Sequence, residues 1–242
     1  MEESIRLLQK FANDKVSLYG INTQVGDDAY RVNLQSQDYA DSLIRRQANA
    51  MRALGCALGQ DCSDEIVRAM LLIRANSHVQ GASGVRPLVT EGILNLVNKD
   101  ILLIIKRYGS VGASGDLIPM SSIGRTLMAE HIVKYNGSIM HAKDLFNDLG
   151  IEPIQLQMKE GVAIVNGTSF TSAIAAIAIH KLCYYLPLSI SAIAVCCEAM
   201  LAMDSSYDPF LHESKHHKSQ IEVAAFIRQC WEGSESIHYS KF

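Results

Sequence analysis

The chain has 242 residues, of which 48% are hydrophobic and 19% charged, enough apolar residues for a large globular core and too many for a disordered chain. A formal net charge of -3 with scattered basic residues gives no electrostatic footing for a nucleic-acid or anionic-membrane partner. Six cysteines without CxxC spacing, and a start (Met1-Glu2-Glu3-Ser4) without the basic-then-apolar pattern of an export signal, point to reduced thiols and a cytoplasmic protein.

No Pro/Gly/Ser linker and no internal repeat divides the sequence. Residues 1–15 place Ile5, Leu8 and Phe11 at helical spacing and predict an amphipathic helix. Tyr19 to Asp28 carries Gly20, Asn22, Gly26 and Asp27, which is loop chemistry. Residues 38–60 and 63–80 predict two helices, the second with Ser63 at its N-cap and Ile66, Met70 and Ile73 on one stripe. Gly81 to Gly84 interrupts before a helix over 88–97. A glycine-rich turn at 109–115 then leads into a helix over 117–130. Asn136-Gly137 predicts a hairpin turn. Residues 169–203 form one long apolar helical stretch marked by Pro187. Its uncharged run from Leu182 to Cys197 is shorter than the roughly 20 residues a bilayer core requires, and no basic flank orients it. A helix buried in a large helical assembly is the expectation there, with no membrane partner.

Two motifs compete for chemistry. His212-Glu213-Ser214-Lys215-His216 fits the HExxH zinc pattern letter for letter. Lys215 and Lys218 would oppose a cation, and no third ligand stands out, so a solvated loop and no metal is the reading. The segment Gly109-Ser110-Val111-Gly112-Ala113-Ser114-Gly115-Asp116 is more informative. A phosphate cradle would need a GK[ST] and a longer preceding strand. A backbone reaction suits it better: in a tight turn the Gly115 nitrogen can attack the Ala113 carbonyl, since glycine brings no Cβ to hinder closure. Loss of two waters, one from the Ser114 side chain, leaves a 4-methylideneimidazol-5-one (MIO) ring, an electrophile that ordinary side chains do not provide.

With that segment the sequence resembles the aromatic amino acid ammonia-lyase and aminomutase family. Tyr19-Gly20-Ile21-Asn22-Thr23 is similar to the family's tyrosine loop, and Arg74-Ala75-Asn76-Ser77 with Gly81 to Arg86 resembles its following helical stretch. Gly109 to Asp116 matches its GSxGASGD signature, and Lys159-Glu160-Gly161 with Asn166-Gly167-Thr168-Ser169 its KEGLALxNGTS segment. Asp208 to His212 falls where the family has a similar turn, which accounts for the zinc-like spelling. One departure is Gln24, where the family loop has a glycine.

The resemblance implies a mainly α, ammonia-lyase-like fold: a long-helix bundle with a smaller mixed N-terminal region carrying the MIO loop. It implies a single domain over 1–242, with about 1–165 as the MIO-bearing region and about 166–242 as the start of a central helical bundle. Family members are longer, so the chain corresponds to their N-terminal half and stops before their carboxylate-binding arginine. The implied catalytic residues are Tyr19 as general base, Ala113, Ser114 and Gly115 as the electrophile, and Asn166 as a polar partner of the ring or substrate. A phenol is a weak acid, so Tyr19 needs a nearby dipole or charge for that role. MIO is the implied cofactor, with no external one. The implied partners are a small aromatic amino acid and further copies of the chain in a homotetramer. Leu54 falls where histidine- and tyrosine-specific members carry a histidine, and an apolar side chain there suits a phenyl ring. Together with Thr168-Ser169, this points to L-phenylalanine giving trans-cinnamate. Histidine ammonia-lyase, an aromatic aminomutase and an inactive truncated paralogue are the alternatives.

Overall fold

The computed structural model describes residues 1–14, 16–19, 23, 38–110, 112 and 115–238. Most of the predicted loop over 19–28 therefore lies outside the described residues, as do Gln24, Ala113 and Ser114. The chain forms two compact units, Met1–Ile177 and Ala178–Phe242.

The first unit opens with α1 (Glu2–Asn13), whose acids Glu2 and Glu3 sit in the first turn and Lys10 in the last, matching the helix dipole. Helix α2 spans Asp38–Ala53. The single helix expected over 38–60 is corrected here: the chain turns at Leu54 and Gly55, and Leu58–Asp61 is a strand, β1. All four β1 residues are exposed, so hydrophobic periodicity gave no sign of it. Its pairing partner β3 (Lys106–Tyr108) defines it instead, with Leu58 opposite Tyr108 and Asp61 opposite Lys106. A Cβ on Gly59 would lie 2.6 Å from the Tyr108 ring, so glycine leaves room for that ring across the pair.

Helix α3 (Asp64–Val79) starts after Ser63, as expected, but the Ser63 side chain does not cap it. Its buried face is Val67, Met70, Leu71, Arg74, Ala75 and His78, an i, i+3, i+4 stripe rotated from the expected one and containing two polar residues. It packs on α4 (Pro87–Asn98), which starts with proline at its first position and buries Val89, Thr90, Ile93 and Leu96. A three-stranded sheet runs in the order β2 (Leu102–Leu103), β4 (Ile132–Tyr135), β5 (Ser138–His141). The expected β4–β5 hairpin is present. Asn136 and Gly137 turn it with φ of 49° and 80°, the two positive values of a type I′ turn.

Helix α5 (Leu117–Leu127) is almost wholly buried, α6 (Ala142–Leu149) ends at Gly150 with φ 64°, and α7 spans Glu160–Val165. The core gathers Met70, Leu71, Val89, Ile93, Ile101, Met120 and Ile123 from α3, α4, α5 and the chain between.

Helix α8 (Ser169–Ala199) runs from the first unit into the second with Pro187 inside it. It ends four residues before the expected Met203, where Leu201 takes φ 53°. Among the described residues, the helical run over 160–199 is long and apolar enough to cross a membrane, with 33% of its most apolar window buried. The second unit continues with α9 (Pro209–Glu213) and α10 (Lys218–Cys230). Its small core is Ala194, Ile227, Trp231 and Ile237, where the Trp231 indole donates to the Ala194 carbonyl at 3.0 Å.

Candidate active site

The glycine-rich turn leaves β3 and enters α5. Gly112 and Gly115 form an antiparallel bridge. Gly115 has φ 96°, a region that side chains with a Cβ rarely occupy. A Cβ there would also lie 2.5 Å from the Gly167 carbonyl oxygen and 2.7 Å from its nitrogen. Glycine is thus required at 115 twice over, by torsion and by contact.

Asp116 follows at the start of α5 and is fully buried. Its carboxylate does not cap α5. One oxygen accepts the Ser110 and Thr171 hydroxyls, both at 2.7 Å, and the other accepts the Thr171 amide at 2.8 Å. Thr171 lies in the first turn of α8, so Asp116 satisfies a donor that the helix cannot satisfy itself. The Asp116 amide donates to the Gly167 carbonyl at 2.8 Å.

The opposite wall is the junction of α7 and α8. Asn166 ends α7, and its side-chain amide donates to the Val162 carbonyl at 3.0 Å while the residue stays exposed. Gly167 presses on Gly115 from one side, and a Cβ on it would lie 2.5 Å from Nη1 of Arg74 on the other. Arg74 is 4% exposed; its Nη2 donates to the Ala163 carbonyl and, at 2.6 Å, to the Asn166 carbonyl. Burial lowers its pKa to about 10, which leaves it charged at neutral pH. One turn on, His78 is pushed down to about 4 by burial and then by the Arg74 charge. Its neutral ring directs Nε2–H toward the Ala163 carbonyl at 3.3 Å.

Beside this, Glu160 is buried and paired with the Arg86 guanidinium at 2.7 Å, and it also accepts the Gln157 amide at 2.7 Å. That ion pair ties the segment ending at Arg86 to the one holding Lys159 and Gly161.

Among the expected site residues, the structure thus brings Gly115 and the Asn166-Gly167 peptide together. Leu54 is half-buried at the end of α2, packed against the core, and its carbonyl accepts the Ser121 hydroxyl of α5 at 3.4 Å. Tyr19 lies in a turn after α1, 52% exposed; Ala113 and Ser114 are outside the described residues. Arg74, His78, Asp116 and Thr171 received no functional role from sequence reasoning. For Arg74 and His78 a readable signal was their phase, since both fall on the buried face of α3, and Arg74 also opens the Arg74-Ala75-Asn76-Ser77 segment.

The zinc-like motif does not assemble, and its segment is not the loop expected. Helix α9 stops at Glu213, and His216 has φ 56°, so the two histidines do not share a helical face. Gln220 donates to Nδ1 of His212 at 2.8 Å, and Nε2 points to the Ser206 carbonyl at 3.3 Å. Both ring nitrogens are therefore engaged.

A mainly helical scaffold that clamps a glycine-rich turn between two helix starts defines a protein of the ammonia-lyase and aminomutase fold. The family model described as aromatic amino acid lyase matches residues 1–241, and the chain belongs to that family. It is 37% identical over 238 residues to a histidine ammonia-lyase of Shouchella clausii, covering 97% of this chain and 46% of that one. Among solved structures it is similar to the phenylalanine aminomutase of Pantoea agglomerans, with TM-score 0.88 and 25% identity over 98% of this chain and 45% of that one. The histidine ammonia-lyase of Trypanosoma cruzi superposes with TM-score 0.80 and 31% identity over 93% of this chain and 43% of that one. The chain spans less than half the length of these relatives.

Proposed function

We propose that the chain builds an MIO electrophile from Ala113, Ser114 and Gly115 and serves an ammonia-lyase acting on a small aromatic L-amino acid. The contact of Gly115 with Gly167 carries this reading. It holds the attacking nitrogen's residue in a left-handed conformation with no room for a side chain, which suits cyclisation. Once formed, the ring supplies an electrophilic methylidene carbon for the substrate amine.

The chain's own groups take the remaining tasks. Asp116 and Gly167 fix the turn, Asn166 presents a polar side chain at its edge, and Tyr19 removes the β-proton. We assign L-phenylalanine as substrate, supported by the apolar Leu54. Histidine is the second reading, favoured by the histidine ammonia-lyase names of relatives such as that of Shouchella clausii. Return of ammonia to the β-carbon, as the name of the Pantoea relative suggests for that protein, would make the activity an aminomutase. A cytoplasmic homotetramer is the proposed setting, with the apolar α8 in its shared bundle.

Intact-protein mass tests the electrophile, since a formed ring makes the chain lighter by two waters. An unmodified mass would end this reading. Ultraviolet absorbance with L-phenylalanine, L-tyrosine and L-histidine supplied separately then assigns the substrate. A rise with histidine alone would replace the phenylalanine assignment, and no rise with any of them would indicate a ring-bearing chain without turnover.

A further inference from the structure

A guanidinium 4% exposed on an apolar helix face is costly unless something needs it there. Among the described residues the hydrogen-bond partners of Arg74 are carbonyls: those of Ala163 and Asn166. The Glu160 carboxylate is engaged by Arg86, and that of Asp116 by Ser110 and Thr171. Arg74 thus places a charge at the carbonyl end of α7, where a cation is favoured, and holds the chain where α7 gives way to α8.

The consequence reaches the turn through one peptide. Nη1 of Arg74 fills the space a Gly167 side chain would take, 2.5 Å from that Cβ position. On its far side, Gly167 abuts Gly115 and accepts the Asp116 amide at 2.8 Å. The order is therefore the α3 guanidinium, then the Asn166-Gly167 peptide, then the Gly115-Asp116 backbone. We propose that Arg74 is a positioning residue for electrophile formation: by holding Asn166-Gly167 against Gly115, it keeps the turn compressed enough for ring closure. This rests on the reading that the ring forms.

In that closure the Gly115 nitrogen bonds to the Ala113 carbonyl carbon. The carbonyl oxygen leaves as water with the amide protons of Gly115 and Ser114, and a second water takes the Ser114 hydroxyl with its Cα hydrogen. No oxidant or reductant is required. The contacts of Arg74 among the described residues are to Ala163, Asn166 and Gly167, so its part in the closure is exerted through backbone geometry.

The test follows the fraction of chains lighter by two waters in freshly expressed protein over time. It compares the unaltered protein with Arg74→Met, Arg74→Lys and Met70→Ala. Met70 lies on the same buried face of α3, so Met70→Ala controls for lost stability, and far-ultraviolet circular dichroism confirms folding in each. The expected order is full ring formation in the unaltered protein and Met70→Ala, slower formation in Arg74→Lys, and formation slowed roughly 10²-fold in Arg74→Met. A folded Arg74→Met that closes at the unaltered rate overturns the proposal, as does an equal loss in Met70→Ala. Should Arg74→Met fail to fold, Arg74→Lys decides: its single ammonium cannot reproduce the guanidinium fork, so closure at the unaltered rate overturns the proposal. An unaltered protein of unmodified mass would defeat the ring reading first, and that outcome is visible without any variant.

Discussion

Replacing Asp116 with alanine isolates how firmly the turn is held. The substitution strips partners from three groups: the Ser110 hydroxyl, the Thr171 hydroxyl and the Thr171 amide. An orphaned buried polar group costs roughly 1–3 kcal/mol. Ser110 is only partly buried and Thr171 is exposed, so both hydroxyls can turn toward water, and the sum is about 2–4 kcal/mol, with the Thr171 amide counted once as the lost cap on α8. That is a large share of the roughly 5–15 kcal/mol that stabilises a domain. Asparagine separates cap from charge. Its oxygen can keep the Thr171 amide while its NH₂ faces the two hydroxyls, which rotate to accept, so its cost falls to about 1–2 kcal/mol. Urea unfolding of the three proteins at neutral pH measures both values, with the slope checked for two-state behaviour. An alanine variant within about 1 kcal/mol of the unaltered protein would refute the reasoning. So would an asparagine variant as damaged as alanine.

Gly115→Ala should lose the ring and destabilise the first unit, because its Cβ meets the Gly167 backbone at 2.5 Å. Gly112→Ala meets nothing within 4 Å and should cost only the roughly 1–2 kcal/mol of a left-handed residue; mass and unfolding midpoints that fail to separate the two would contradict the assignment. Burial holds both His78 and His131 down to about 4, below the roughly 6.5 of an unfolded histidine. The unfolded chain therefore binds more protons between those values, and stability, steady above about pH 6.5, should fall toward pH 4 by up to about 3 kcal/mol per histidine. His131→Gln should flatten part of that slope in urea midpoints, and a midpoint unchanged from about pH 7 to 5 would refute the assignment. Leu54→His should shift relative turnover from L-phenylalanine toward L-histidine by roughly tenfold or more, read as a ratio of absorbance rates, and an unchanged ratio would remove Leu54 from the substrate site.

Local chemistry made much of the fold readable. Asn136-Gly137 in the hairpin and Gly81 to Gly84 between α3 and α4 each carry a backbone preference that needs no distant partner. What escaped depends on residues far apart in the chain. Strand β1 is exposed along its length and exists through pairing with Tyr108 and Lys106. Ser63 stands at an N-cap without capping, whereas Asp116, without marking its own helix, serves the start of α8 from 55 residues away. The candidate site divides the same way. Gly115 and Asn166 were legible as motif letters, but the contact joining them passes through Gly167, and its support from Arg74 crosses from α3. A charged letter inside an apolar stripe, within the Arg74-Ala75-Asn76-Ser77 segment, was the sequence trace of that support.

Helix α8 connects the turn to the rest of the protein's work. Its first turn is fixed by Asp116 through Thr171, while Ile179, Leu182, Tyr184, Tyr185, Leu186 and Leu188 further along are exposed. A helix apolar on every side is stable in water only when something covers it, so this length suits association with further copies, as proposed. The contacts that hold Gly115 (Gly167, Asp116 and, through Gly167, Arg74) all fall within the unit Met1–Ile177. Building the electrophile and covering α8 therefore draw on different residues of one element. Ring formation is expected to tolerate changes to the exposed stripe of α8, whereas a disturbance at Thr171 or Asp116 reaches both the turn and the helix that leaves it.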